Sequence, residues 1–196
     1  QAQVALGRVP TYELLLRDIT NIEPLFLEYA ALVFGREEAA GRLTGWAAKL
    51  DKLLADIEWS RTDRKAPVPA VPRTLQDRDA NVVAAYLLAK ELRFSDPVLD
   101  GLAQAVSYEK SFFEKIIASL GPFLEKLTTG AVGKLISPNY FDADDPRPIF
   151  DWMSIIRQGG IVYVGLDALS DSVIASAVGN SMLADLVSVG GKIYKE

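Results

Sequence analysis

The stretch that decides the fold is "QGGIVYVGLDALSDSV", residues 158–173. Ile161, Val162, Tyr163 and Val164 form a run of β-formers between Gly160 and Gly165, and a helix-start signal, Ser170-Asp171, follows at once. Everything before the run reads as helix or connector. Each backbone N–H and C=O of a strand needs a partner, so a lone strand predicts a sheet whose other members lie elsewhere. The run is expected either to be shielded by the chain's own helices or to meet another chain.

Downstream, a last helix should begin near Ser170 or Asp171 and run through "VIASAVGNSMLADLVSV", where Ala175, Ser176, Ala177 and Gly179 suit close packing on a sheet or helix. Upstream, Asp151 can cap a short helix to Gln158, with Gly159-Gly160 as its C-terminal turn. Before that, "SPNYFDADDPRPIFDW" reads as an ordered connector anchored by Tyr140, Phe141, Ile149 and Phe150.

The rest of the chain is helical in pattern. "VPTYELLLRDITNIEPLFLEYAALVFG" predicts two helices, capped by Thr11 and Asn21, with Pro24 in the first turn of the second and Gly35 as its stop. Leu43, Trp46, Leu50, Leu53, Leu54 and Ile57 recur at spacings of three and four, which predicts an amphipathic helix to Trp59. Pro67, Pro69 and Pro72 then impose an extended loop with polyproline character. Helix resumes over 79–94. Ser95 or Asp96 caps the next helix, with Pro97 in its first turn. Leu99, Leu102, Val106, Phe113, Ile116 and Leu120 predict one long helix, with Glu109 out of pattern and Gly121-Pro122 as its end or kink, beyond which Phe123 to Leu127 can continue it. There is no internal repeat.

Composition narrows the chemistry. The 196 residues are 49% hydrophobic and 24% charged, the profile of an ordinary compact protein. A chain of this length buries roughly 70% of its unfolded surface. There is no Cys and no His, which removes disulfides, thiolate nucleophiles, imidazole bases and zinc sites built on those ligands. A net charge of −5 confines any nucleic-acid contact to a local patch. Asp, Glu, Lys or Arg interrupts every long apolar run, so no membrane span is expected. The chain opens without Met or a leader pattern and closes while helical periodicity is still running, which reads as a piece of a longer protein.

Four stretches invite a chemical reading. "TTGAVGKL" ends like a phosphate loop, but Thr128 stands where the first glycine belongs and Leu135 where the metal-binding hydroxyl belongs, so a flexible turn is the better reading. Asp167 follows the apolar run as a carboxylate at a strand's end would; a structural place in a turn before the helix outweighs catalysis. Asp142, Asp144 and Asp145 resemble the start of a calcium loop, but Pro146 and Arg147 occupy its turning point and no bidentate Glu follows in register, which leaves a solvated turn. Arg61, Arg64, Lys65, Arg73 and Arg78 around the proline loop outnumber Asp63, Asp77 and Asp79, an excess of two positive charges. They are the candidate nucleic-acid or partner contacts, set against the plainer reading of a loop kept soluble by charge.

Taken together, "LGRVPTYELLLRDITNIEPLFLEY", "SPNYFDADDPRPIFDW" and "GGIVYVGLDALSDSVIASAVGNSMLADLVSV" resemble the TraD-type coupling proteins of integrating conjugative elements, P-loop motor ATPases that feed DNA into type IV secretion channels. The likeness spans nearly the whole chain and is most specific over 146–189. It implies a mainly α fold. Residues 1–137 would be an all-α domain, 138–160 a connector with a short helix, and 161–196 a strand and helix of an incomplete α/β P-loop motor domain. It also implies a hexameric parent anchored in the bacterial inner membrane that uses ATP and Mg, with this segment on the cytoplasmic face and out of contact with the membrane. The partners implied are a relaxosome protein or single-stranded DNA and, through the parent, the secretion channel. No complete phosphate loop and no acidic pair for magnesium and water activation occur here, so no catalytic, cofactor or metal residue carries over and no activity is expected from the segment alone. The alternatives are a free-standing helical module binding a protein partner and, more weakly, a small hydrolase using Asp167 and nearby acids.

Overall fold

The computed structural model describes residues 1–63, 71–92, 95–136 and 150–195. They are mainly helical, in two compact units, Gln1–Pro122 and Phe123–Glu196.

The first unit is built around α3. In chain order its helices are α1 (Ala2–Ala5), α2 (Tyr12–Thr20), α3 (Glu23–Ala39), α4 (Trp46–Thr62), α5 (Ala80–Leu92) and α6 (Pro97–Ser107), with a 3-10 turn at Arg73–Leu75 and the first part of α7 (Lys110–Thr128). α3 packs against α1, α2, α5 and α6, and α5 also packs on α4. A helix with that many neighbours is apolar on several sides: Leu25, Phe26, Tyr29, Ala30, Val33 and Phe34 are all buried. With Leu75, Val82, Val83, Leu88 and Val106 they form the core, and Trp46 lies tilted on Phe34 with 5.5 Å between ring centroids.

Local chemistry sets the helix starts. Thr11 Oγ1 accepts from the Leu14 amide, and Asp96 accepts from the Val98 and Leu99 amides, so both expected caps are in place. Asn21 acts one residue further out than a cap, accepting from the Glu23 amide, and Pro24 sits in the first turn.

One expected stop is not a stop. Gly35 lies inside α3, which runs to Ala39 and ends at Gly41 (φ +70°), whose amide bonds the Glu38 carbonyl while the Arg42 amide bonds that of Glu37. At Pro122, where an end or a kink is expected, α7 continues through 123–127. The predicted long helix breaks instead at Tyr108 (φ −68°, ψ 150°), beside the out-of-pattern Glu109. The carbonyl freed there accepts from Arg78 Nη2 at 3.2 Å.

The second unit holds the end of α7, α8 (Gly130–Ile136), α9 (Trp152–Arg157) and α10 (Ser172–Ile193). Asp151 caps α9 and Asp171 caps α10, and Gly159 (φ +65°) turns the chain after α9, all as expected. "TTGAVGKL" is not a turn: Gly130 (φ +63°) leads into the helix α8. The connector's Tyr140, Phe141 and Ile149 lie outside the described residues; Phe150 packs edge to face on Trp152, with 4.6 Å between centroids.

The expected strand at 161–164 requires a correction. Among the described residues there is no strand, and no backbone N–H of residues 161–167 donates to another backbone group. Ile161 and Tyr163 are 99% and 95% exposed, while Val162 and Val164 are at 36% and 41%. The physical reason is that β structure requires a ladder, and β-forming side chains cannot supply one alone. The chain's own helices leave the run unshielded on its Ile161–Tyr163 face.

Candidate functional site

Two regions carry the residues of interest, one in each unit. In the first, the sequence singled out five cations. Arg64 and Lys65 lie outside the described residues. Arg61, in the last turn of α4, donates through Nη2 to the carbonyls of Gln76 (3.1 Å) and Arg78 (2.5 Å). Arg78 in turn bonds Glu23 at 2.7 Å and the Tyr108 carbonyl, and its side chain is only 14% exposed. Arg73 opens the 3-10 turn, is exposed, and has no charged partner among the described residues. Ile57, Ser60, Arg61, Val71, Gln76 and Val83 line a cleft of about 150 Å³ between α4 and the segment that follows the loop. The fold therefore brings Arg61 and the 76–78 backbone together, and turns Arg78 inward.

In the second unit, Val164 and Leu166 lie beside α10. A Cβ placed on Gly179 would stand 3.0 Å from Leu166 Cδ1, so a larger residue there would require the leucine to shift. Val164, Leu166, Ile174, Ala175, Val178 and Ile136 line an apolar cleft of about 390 Å³, rimmed by Asp167, Ser170 and Asp171. Asp167 accepts from the Ser170 hydroxyl and amide, which hold its carboxyl below the ordinary value; it sits in the turn before the helix, the structural role expected of it. The Ile174 amide and Lys126 do the same for Asp171.

α10 carries one apolar stripe. Ala175, Val178, Met182, Leu186 and Val189 face inward, buried or half-buried. On the outer side Val173, Ser176, Asn180, Leu183 and Val187, three and four apart, are all exposed and mix apolar with polar residues. By length and composition α10 could cross a membrane. Asp185, however, would place a carboxylate in hydrocarbon, at a cost of about 3 kcal/mol.

A buried polar cluster in the first unit had no sequence signal beyond its cap. Asp96 accepts from Tyr29 Oη at 3.3 Å and from Arg36 Nη2 at 3.1 Å, besides the two amides of α6. Burial raises its pKa, yet the Leu99 amide, Arg36, the Val98 amide and Tyr29 together hold it below the ordinary value. Arg36 also reaches Glu37, which accepts a two-pronged bond from Arg42 at 2.6 and 3.0 Å. These contacts tie α3 to the start of α6 and to its own C-terminal turn.

The calcium-like acids Asp142, Asp144 and Asp145 lie outside the described residues. No protein-family model, curated protein or solved structure matches the chain.

Proposed function

We propose that this chain is a non-catalytic part of a TraD-type conjugative coupling ATPase that recognises the transfer substrate, a relaxosome protein or single-stranded DNA, and hands it to a type IV secretion channel. In this reading the helical residues up to 137 are the recognition domain, and 161–196 return to the motor's α/β layer, where 161–164 become a strand of its central sheet. ATP, Mg and the hexameric, membrane-anchored assembly belong to the parent. This part lies at the cytoplasmic face and has no activity alone.

One observation carries the reading. The run at 161–164 is apolar on both of its alternating sides, with Ile161 and Tyr163 at 99% and 95% exposure. A strand apolar and buried on both faces is the ordinary condition of a parallel α/β sheet and not of an isolated helical unit. Arg64, Lys65 and Arg73 are the proposed phosphate contacts.

The coding sequence on either side is the direct test. A phosphate loop upstream and a strand ending in an acidic pair downstream are expected, and a complete gene bounded by these termini would overturn the reading. For the substrate, anisotropy of a labelled oligonucleotide at low salt should saturate and should weaken when Arg64, Lys65 and Arg73 become Ala. The alternative, a free-standing module for a protein partner, is favoured by the exposed edge-to-face pair Tyr108–Phe112, with 5.6 Å between centroids. Loss of a protein partner on Phe112→Ala, without any oligonucleotide binding, would select it.

A further inference from the structure

The cations around the proline loop divide by what their guanidinium groups touch. Arg61 spans two carbonyls, Gln76 and Arg78, at 3.1 and 2.5 Å. Arg78 spans the Glu23 carboxylate and the Tyr108 carbonyl at 2.7 and 3.2 Å. The two are linked in series: Arg61 holds the backbone of Arg78, and the side chain of Arg78 holds α3 and the elbow between α6 and α7. Between them the chain is pinned further by fully buried Leu75 and by the Leu75 amide on the Pro72 carbonyl and the Arg78 amide on the Leu75 carbonyl. Arg73 alone of the described cations projects from this segment with no charged partner among the described residues.

We propose that Arg61 and Arg78 are positioning residues that hold residues 73–78 rigid, and that Arg73 is the cation this segment presents to a phosphate. The second half rests on the reading of the loop as a nucleic-acid contact; the first stands without it. The physical ground is that a guanidinium is a planar fork whose donors can serve two acceptors at once, whereas an ammonium is a point charge on a flexible stem. A cation already donating to two carbonyls also has fewer donors left for a ligand. A segment fixed before binding loses less conformational freedom when it binds.

Contacting and positioning cations differ in a measurable way. Each cation that neutralises a phosphate of a single strand contributes about 0.7 to the slope of log affinity against log salt, whereas one that acts through the backbone changes affinity and leaves the slope alone. The experiment compares the intact chain with Arg61→Ala, Arg61→Lys and Arg73→Ala by two measurements. In amide hydrogen exchange, Arg61→Ala should speed the Leu75, Gln76 and Arg78 amides by at least about tenfold, Arg61→Lys should not restore protection, and α5 should be unchanged. In binding to a labelled oligothymidine across a salt series, Arg73→Ala should lower the slope by about 0.7, and Arg61→Ala should weaken binding at an unchanged slope. Unchanged exchange in Arg61→Ala, or a slope loss there equal to that of Arg73→Ala, overturns the positioning role. If the intact chain binds no oligonucleotide, the role of Arg73 and the nucleic-acid reading fail together, and exchange still decides the role of Arg61.

Discussion

Replacing Asp96 by Ala tests the account of how the first unit is held together. The carboxylate caps α6, accepts from buried Tyr29 and from Arg36, and is itself buried. Losing the cap costs about 1 kcal/mol. Leaving the Tyr29 hydroxyl buried without its acceptor costs about 1–3 kcal/mol more. Arg36 is 55% exposed and can turn to water, so its loss adds little. The expected total is about 2–4 kcal/mol, read as a lower urea midpoint at unchanged slope. Asp96→Asn keeps an acceptor for the cap and should recover about half. Acid should act in the same direction. The folded-state pKa lies below the ordinary value, so its stabilisation is complete above the unfolded value of about 3.9 and is lost as pH falls through the lower folded value. Below that range the wild type and Asp96→Asn should converge in stability. A loss under about 0.5 kcal/mol for Asp96→Ala, or a constant gap between wild type and Asp96→Asn down to the acid limit, would refute the reasoning.

Three further outcomes follow from the same contacts, each measured by chemical or thermal unfolding. Gly190→Ala, in a helix with nothing within 4 Å of the added carbon, should stabilise by up to about 1 kcal/mol; Gly179→Ala should gain less, because its Cβ meets Leu166 at 3.0 Å, and equal gains would remove that contact from the account. Gly41→Ala should destabilise by about 1 kcal/mol, since φ is +70° where α3 ends; no change would mean that the turn relaxes freely. Tyr163→Lys should alter stability by less than about 0.5 kcal/mol while lowering binding of an apolar dye, and a larger loss would show the ring to be covered.

Features encoded within a few residues were legible in the sequence. Thr11, Asp96, Asp151 and Asp171 cap their helices because a short acceptor beside free amides acts locally. Glu109 stands out of the apolar pattern beside the break at Tyr108. Gly35 misleads because packing around α3 outweighs the propensity of a single residue. The composition of residues 161–164 records a preference for β structure and says nothing of the neighbour that preference requires. Arg61 and Arg78 looked like equals of Arg73 because charge is visible in a sequence and a carbonyl 15 to 30 residues away is not.

The span of the Asp96 cluster has a consequence during synthesis. Tyr29 and Arg36 precede Asp96 by 67 and 60 residues, so a ribosome adding about 5–20 residues per second makes them roughly 3 to 13 s before their acceptor. Throughout that interval the nascent amino-terminal helices lack the tether that later secures them, and they are open to chaperones or to neighbouring polypeptides on the same message.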